Sequence, residues 1–327
     1  MTPQFIPNGI MVTIRCATYN HEPYIRQCLE GFVMQKTNFL FEAVVHDDAS
    51  TDKTADIIRE FATKYPEIIK PIYQTENQYS KHDGSLTRIM NAHTRGKYIA
   101  LCEGDDYWTD PLKLQKQVDL LEADRSLIAV VTNASVSDSE GNVVQKEQLV
   151  IPPKNIEGRY NLHNYFKNEH HYPTLTVLFK SAEMEKIRED MHRIYNPFFG
   201  DKALWIILHT MGDFYFLNEV TGNYRRHPTS VTRTIHTAEN MLKRSKADFR
   251  IRKQIIDYLP KEYHKYLKNN WNAYLRLALS YRKMNKPIVM LCYLVLSFFA
   301  HPIRFIKELK KMKNNHKIMK KIKKSWN

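Results

Sequence analysis

Two hydrophobic periods alternate along the first 135 positions. Ile10 to Cys16 (IMVTIRC) is apolar and β-branched and predicts a strand. Pro23 then opens a helical stretch in which Tyr24, Ile25, Cys28, Leu29, Phe32 and Val33 share one face. Leu40 to His46 is a second strand, and Ile57, Ile58, Phe61 and Ala62 mark a second helix with Ser50 or Thr51 as expected N-cap. A weaker strand covers Ile68 to Gln74, and positions 84 to 95 predict a helix. Tyr98 to Cys102 is a fourth strand, Pro111 starts a helix through Leu121, and Leu127 to Asn133 closes the series.

Strands alternating with helices at this spacing predict an α/β fold with a mostly parallel sheet flanked by helices. Every crossover returns the chain so that the strands' carboxyl ends share one edge, where ligands bind. Three polar clusters fall at such ends: Thr18-Tyr19-Asn20, Asp47-Asp48 and Glu103-Asp105-Asp106. The spacing therefore predicts neighbours in space from segments far apart in sequence.

Beyond Ser135 the pattern loosens. SDSEGNVVQ predicts a hairpin around Gly141, PPKNIEGRYN a loop, Leu175 to Lys180 a strand, DKALWIILHTMG a helix and FYFLNEV another strand. From Ala238 onward the pattern is helical, so we expect one domain over residues 1–235 and a helical basic extension over 236–327. The largely apolar run Ile288 to Ala300 is 13 residues long, too short to span a bilayer.

Composition changes this picture in one respect. The formal charge is +14, but His301 to Asn327 alone carries ten Lys or Arg against one Glu. Basicity is thus concentrated in the tail and does not predict a nucleic-acid groove across the fold. No charged leader followed by an apolar core is visible near Met1, so the expected location is cytoplasmic, peripheral on the inner membrane face through that tail. The four cysteines match no zinc or CxxC spacing, and the three in apolar runs are expected to be buried reduced thiols.

Clustered carboxylates at a parallel-sheet edge point to a divalent cation, which offsets their mutual repulsion. Oxygen donors favour Mg2+ or Mn2+, whose remaining ligands are typically phosphate oxygens. A GxGxxG after the first strand, a GxxxxGK[ST] and an HExxH are all absent from the sequence. CATYNHEPY also lacks the Gly-rich basic loop of a nucleotidylyltransferase.

Four segments in order, TYNHEPYI, VVHDDASTDKTADIIREF, GKYIALCEGDDYWTDPLKLQKQ and YRRHPTSVT, resemble the successive motifs of family 2 glycosyltransferases of the GT-A fold, over residues 10 to 235. The resemblance implies an inverting transferase moving a sugar from a nucleotide diphosphate sugar to a glycan or lipid-linked acceptor in surface polysaccharide synthesis, with Mn2+ or Mg2+ as cofactor. Thr18, Tyr19, Glu22, Asp48 and Glu103 then belong to nucleotide binding, with Asp48 accepting from a uracil N–H. Glu103 stands where the family usually has the first Asp of its DxD motif, and Asp105 is the second. Asp105 and His227 are the implied metal ligands, and Asp106, Arg225 and Arg226 lie behind them or near the donor sugar and leaving group. In FFGDKALW the family's usual Glu-Asp is Gly200-Asp201, and Asp201 is the implied catalytic base. Because a helix N-terminus lowers an Asp pKa, burial or a neighbouring acid is needed to keep it basic.

Plainer readings stand beside these. Asp47 and Asp48 read singly as helix-cap acids, Asp110 as the N-cap of the Pro111 helix, Cys102 and Trp108 as packing, and His170-His171 as a loop pair. The 288–300 stretch reads either as an interfacial anchor or as one arm of a helical hairpin with NAYLRLALSY. At the level of the whole chain, the alternative is a non-catalytic sugar-nucleotide or glycan-binding protein.

Overall fold

A computed structural model describes residues 9–145, 157–167, 172–194, 199–230, 237–267, 271–307 and 309–310. His170, His171 and the tail lysines from 311 to 324 lie outside the described residues. The chain divides into two compact units, one drawn from residues up to His192 with Asp201–Pro228, the other from Arg193–Gly200 and residues from Thr229 on.

The first unit is built on a ten-stranded sheet. In chain order its elements are β1 (Ile10–Thr18), α1 (Ile25–Val33), β2 (Leu40–Asp47), α2 (Thr54–Lys64), β3 (Ile69–Tyr73), α3 (Ser85–Ala92) and β4 (Tyr98–Leu101). There follow β5 (Tyr107–Trp108), α4 (Lys113–Ala123), β6 (Leu127–Ser137), β7 (Val143–Gln145), β8 (Gly158–Tyr160) and α5 (Leu162–Lys167). The series ends with β9 (Val177–Lys180), α6 (Met184–Arg193), α7 (Gly200–Met211) and β10 (Asp213–Arg225). The strand order is β3-β2-β1-β4-β9-β6-β10-β5, with β7 on β6 and β8 on β10.

The expected parallel series is present in β3-β2-β1-β4 and in the β6–β10 pair. Between these two blocks β9 runs antiparallel to both β4 and β6. The sheet is therefore mostly, not wholly, parallel. The expected hairpin is β6–β7, turning at Gly141 with φ +88°.

Alternation along the strands explains the core. Val12, Ile14 and Cys16 of β1 and Ala43 and Val45 of β2 point to one face, where Cys28, Leu29 and Phe32 of α1 and Ile58 and Phe61 of α2 cover them. Cys16, Cys28 and Cys102 are buried free thiols, whereas Cys292, inside the apolar run, is exposed.

Helix starts differ from expectation. α1 begins at Ile25, because His21 to Tyr24 form a turn in which the N–H groups of Tyr24 and Ile25 both donate to the His21 carbonyl. Neither Ser50 nor Thr51 caps α2; Asp52 accepts from the Thr54 N–H at its entry instead. Asp110 accepts from the Leu112 N–H at 2.8 Å just ahead of α4, and it also pairs with Lys116.

The second unit is helical: α8 (Ala238–Tyr258), α9 (His264–Leu267), α10 (Trp271–Lys283) and α11 (Pro287–Ala300). α10 packs against α8 and α11, and α10 and α11 form a hairpin turning at Asn285 with φ +54°. No helix among the described residues is long and apolar enough to cross a membrane.

Candidate active site

The three polar clusters meet at the carboxyl edge of β1, β2 and β4. The Asp48 N–H donates to the Thr18 carbonyl at 2.9 Å, and the Gly104 N–H donates to the Ala17 carbonyl at 3.0 Å. The loops after β1 and β2 interlock further. Asn20, at φ +53°, accepts from Thr51 N–H through its side chain, and the Glu22 carboxylate accepts from Lys53 N–H at 3.1 Å. Glu22 therefore has a stitching contact that the sequence reading did not anticipate. Tyr19 remains 44% exposed at the mouth of this edge.

Asp48 is 2% exposed, and each carboxylate oxygen accepts one backbone N–H, from Gln78 at 2.7 Å and Tyr79 at 2.9 Å. It ties down the segment after β3 and leaves one lone pair per oxygen.

The acidic loop after β4 is assembled by a long-range pairing. β5 adds antiparallel to β10, with Trp108 opposite Gly222 and Tyr107 opposite Asn223. This sets the end of β10 beside the loop, so that His227 Nε2 lies 2.9 Å from Asp105 Oδ2. His227 is 1% exposed and Asp105 19%. Burial pushes the Asp105 carboxyl up, but the His227 hydrogen bond and the nearby His21 outweigh it and hold the group below its ordinary value. His21 is itself lowered by burial, and its Nδ1 shares a 3.1 Å hydrogen bond with Thr18 Oγ1. Tyr24 packs its ring 4.6 Å from that of His227.

Glu103 takes a different environment. Burial first, with the charge of Asp105 and Asp201 adding to it, raises its pKa to about 7, opposed by a hydrogen bond donated by Thr174 Oγ1. Asp201, at the start of α7, accepts from Lys202 N–H at 2.7 Å, and its charge helps raise both Glu103 and Tyr165. Among the described residues, nothing lies within 4 Å of a Cβ built on Gly200.

Asp106 is 3% exposed and accepts from the Arg225 N–H at 2.8 Å. Burial, then the charges of Asp105 and Glu103, push its pKa well up. The Arg225 guanidinium is buried between the rings of Tyr24 and Tyr107, at 4.9 and 5.0 Å. It donates to the Asp105 and Ser139 carbonyls and to Gln27. In this placement the Arg225 donors are spent on holding the acidic loop from behind. Arg226 is exposed, with its N–H on the Ser137 carbonyl.

The donor set fits a divalent cation shared with a substrate. Among the described residues no three His, Cys, Asp or Glu come together as a ready-made metal cluster. Mg2+ commonly takes only one or two protein groups, leaving the rest to water and phosphate. Asp105 and His227 stand 2.9 Å apart through a hydrogen bond to each other, which a bound cation would replace.

Comparison with known proteins decides the family. The family model for glycosyl transferase family 2 matches residues 13–191, more than half of the chain. The chain belongs to glycosyl transferase family 2. An uncharacterized protein of Mycobacterium tuberculosis is 49% identical over 111 residues, 34% of this chain and 31% of its own length. The putative teichuronic acid biosynthesis glycosyltransferase TuaG of Bacillus subtilis is 26% identical over 225 residues, 68% of this chain and 81% of TuaG. Among solved structures, residues 1–349 of S. aureus TarS in complex with UDP-GlcNAc superpose with TM-score 0.60 at 15% identity, covering 90% of this chain and 83% of that one. The mannosyltransferase PcManGT from Pyrobaculum calidifontis, in complex with GDP-Man and Mn2+, gives 0.54 at 16%, covering 93% and 79%. At that identity the superpositions establish the shared fold of this family 2 member.

His21, Tyr24, Gln27, Tyr107 and Thr174 were not singled out as site residues from sequence. For Thr174 no local pattern marks it: its place follows from the antiparallel entry of β9 beside β4.

Proposed function

We propose that this family 2 member is an inverting glycosyltransferase that moves a sugar from a UDP-sugar to a glycan or lipid-linked acceptor in surface polysaccharide synthesis. The domain that does so spans residues 1–235, with 236–327 as its helical extension. The observation carrying this reading is the Asp105–His227 pair at 2.9 Å on the sheet edge, with Asp201 near enough for its charge to help raise Glu103.

Tyr19 offers an exposed ring to the base, Thr18 lines the floor beneath it, and Asp48 accepts the uracil N–H with a remaining lone pair. Glu22 fixes the loop that presents them. Asp105 and His227 would hold Mn2+ or Mg2+, which would supply positive charge against the diphosphate. Asp201 accepts the acceptor hydroxyl proton while that oxygen attacks the anomeric carbon, and the nucleoside diphosphate leaves from the opposite face. Glu103, its pKa raised to about 7 by burial and held by Thr174 Oγ1, contacts the donor's ribose. Arg226, exposed next to His227, meets the departing diphosphate, while Arg225 and Asp106 fix the loop from behind.

The test is thermal stability against UDP, GDP, CMP and dTDP, each with and without Mn2+, in the wild type and Asp105→Ala. A ligand bound only by the folded protein raises the midpoint. UDP with Mn2+ is expected to stabilise the wild type alone; no shift with any nucleotide refutes the donor site. A shift without turnover of any UDP-sugar leaves the binding protein in place of the enzyme.

A further inference from the structure

Among the described residues, α11 is covered on one side only. Tyr293 stacks on Tyr281 and Tyr274 of α10, with ring centroids 5.6 and 6.3 Å apart, and Ser297 is buried on that side. On the opposite face Ile288, Leu291, Val295 and Phe299, at helical spacing, are 79, 59, 46 and 75% exposed. The chain continues with exposed Ile303 and Ile306. Of the 17 exposed large hydrophobic residues among the described residues, nine fall between Ile288 and Leu309, so this is a continuous apolar face and not scattered surface.

Charge says what covers it. From Tyr263 to Lys307 the sequence carries eight Lys or Arg and no Asp or Glu. Lys283 and Lys286 are exposed at the start of α11, and Arg304 and Lys307 are exposed beyond its end. Residues 308–327 add eight Lys against one Glu. A second copy of the same surface would bring like charges together, and a neutral apolar partner would leave them unmatched. An anionic lipid surface satisfies both features, because apolar side chains enter the acyl boundary while flanking cations meet the headgroups.

We infer that the outer face of α11, with its flanking Lys and Arg, is a peripheral docking surface for an anionic lipid bilayer. The helix lies in the interface and does not span it. Both readings from sequence then hold at once: the stretch is an arm of a hairpin and an interfacial anchor on its other side. This inference does not rest on the donor-site reading.

Co-sedimentation of the full chain with vesicles tests it, using phosphatidylcholine alone and phosphatidylcholine mixed with phosphatidylglycerol. Binding to the mixed vesicles only, weakening with salt, is expected. Lys283→Gln and Lys286→Gln should each lower partitioning about five-fold, and the double variant Leu291→Asp/Phe299→Asp by at least about ten-fold. Because these side chains are exposed, the variants keep the wild-type melting transition and any nucleotide-dependent shift, which separates failure here from failure of the donor site. Equal binding to both vesicle types, absence of binding by the wild type, or retained binding by the aspartate variant overturns the inference. A concentration-dependent dimer that the aspartate variant splits, without vesicle binding, assigns the face to a second copy and overturns it as well.

Discussion

Gly104 sits between two acids of the active site, and replacing it by Ala tests how tightly the acidic loop is held. Its backbone is not left-handed, so the added methyl acts through space alone. A Cβ there would lie 2.6 Å from Thr18 Oγ1, 2.7 Å from Thr18 Cβ and 3.0 Å from His21 Nδ1. Ordinary carbon contacts begin about 3.5 Å out, so the loop or the end of β1 must move by about 1 Å. Overpacking of this kind costs about 1–3 kcal/mol. The functional cost should be larger in proportion, because Gly104 links Glu103 to Asp105, and a displacement of about 1 Å at a reacting centre lowers rates about a hundred-fold. Urea unfolding gives the first quantity, and donor turnover together with the UDP–Mn2+ melting shift gives the second. Thr18→Gly in the Gly104→Ala background removes both Thr18 contacts and should recover part of the loss. A Gly104→Ala protein with wild-type turnover and melting shift would falsify the tight-loop account.

Four further outcomes follow from named contacts. Lys113 is fully buried, with Gln117 Oε1 as its hydrogen-bond partner and the Trp108 ring 4.8 Å from Nζ, and burial lowers its pKa from 10.5 to about 7. Below about pH 7 the amine is protonated folded and unfolded, and the full burial cost stands; between about pH 7 and 10.5 only the unfolded chain holds the proton, so stability rises with pH. The stability difference between the wild type and Lys113→Met should therefore change by about 3 kcal/mol from about pH 7 to 10 in urea unfolding; parallel pH profiles would refute it. Thr174→Val removes the hydrogen bond to Glu103 and should lower kcat/KM about ten-fold in steady-state assays with little change in folding. Arg225→Met should cost about 3–5 kcal/mol of stability in urea unfolding, by removing the buried cation that holds the Asp105 loop, whereas exposed Arg226→Met stays within about 0.5 kcal/mol. Gly200→Glu enters open space and should leave the melting midpoint within a few degrees, as a thermal scan will show.

Much of this protein was legible without coordinates because local periodicity sets its elements. The apolar alternation of IMVTIRC and LFEAVVH and the helical spacing of Cys28, Leu29 and Phe32 specify strands and a helix by which side chains must leave water. Parallel crossovers then bring Thr18, Asp48 and Glu103 to one edge as a matter of topology. What local pattern does not carry is pairing between distant segments. The two-residue β5 is too short to show a period, yet its antiparallel union with β10 carries His227 to Asp105 and buries Arg225 behind them. β9 looks like any apolar strand, and only its insertion between β4 and β6 sets Thr174 on Glu103. The sequence determined which residues are apolar, acidic or turn-forming; the tertiary structure decided which acids are paired, which are raised by burial, and which arginine is spent on scaffold. The physical reason is that charge state and hydrogen-bond commitment depend on neighbours about 100 residues away, chosen by strand pairing and not by local propensity.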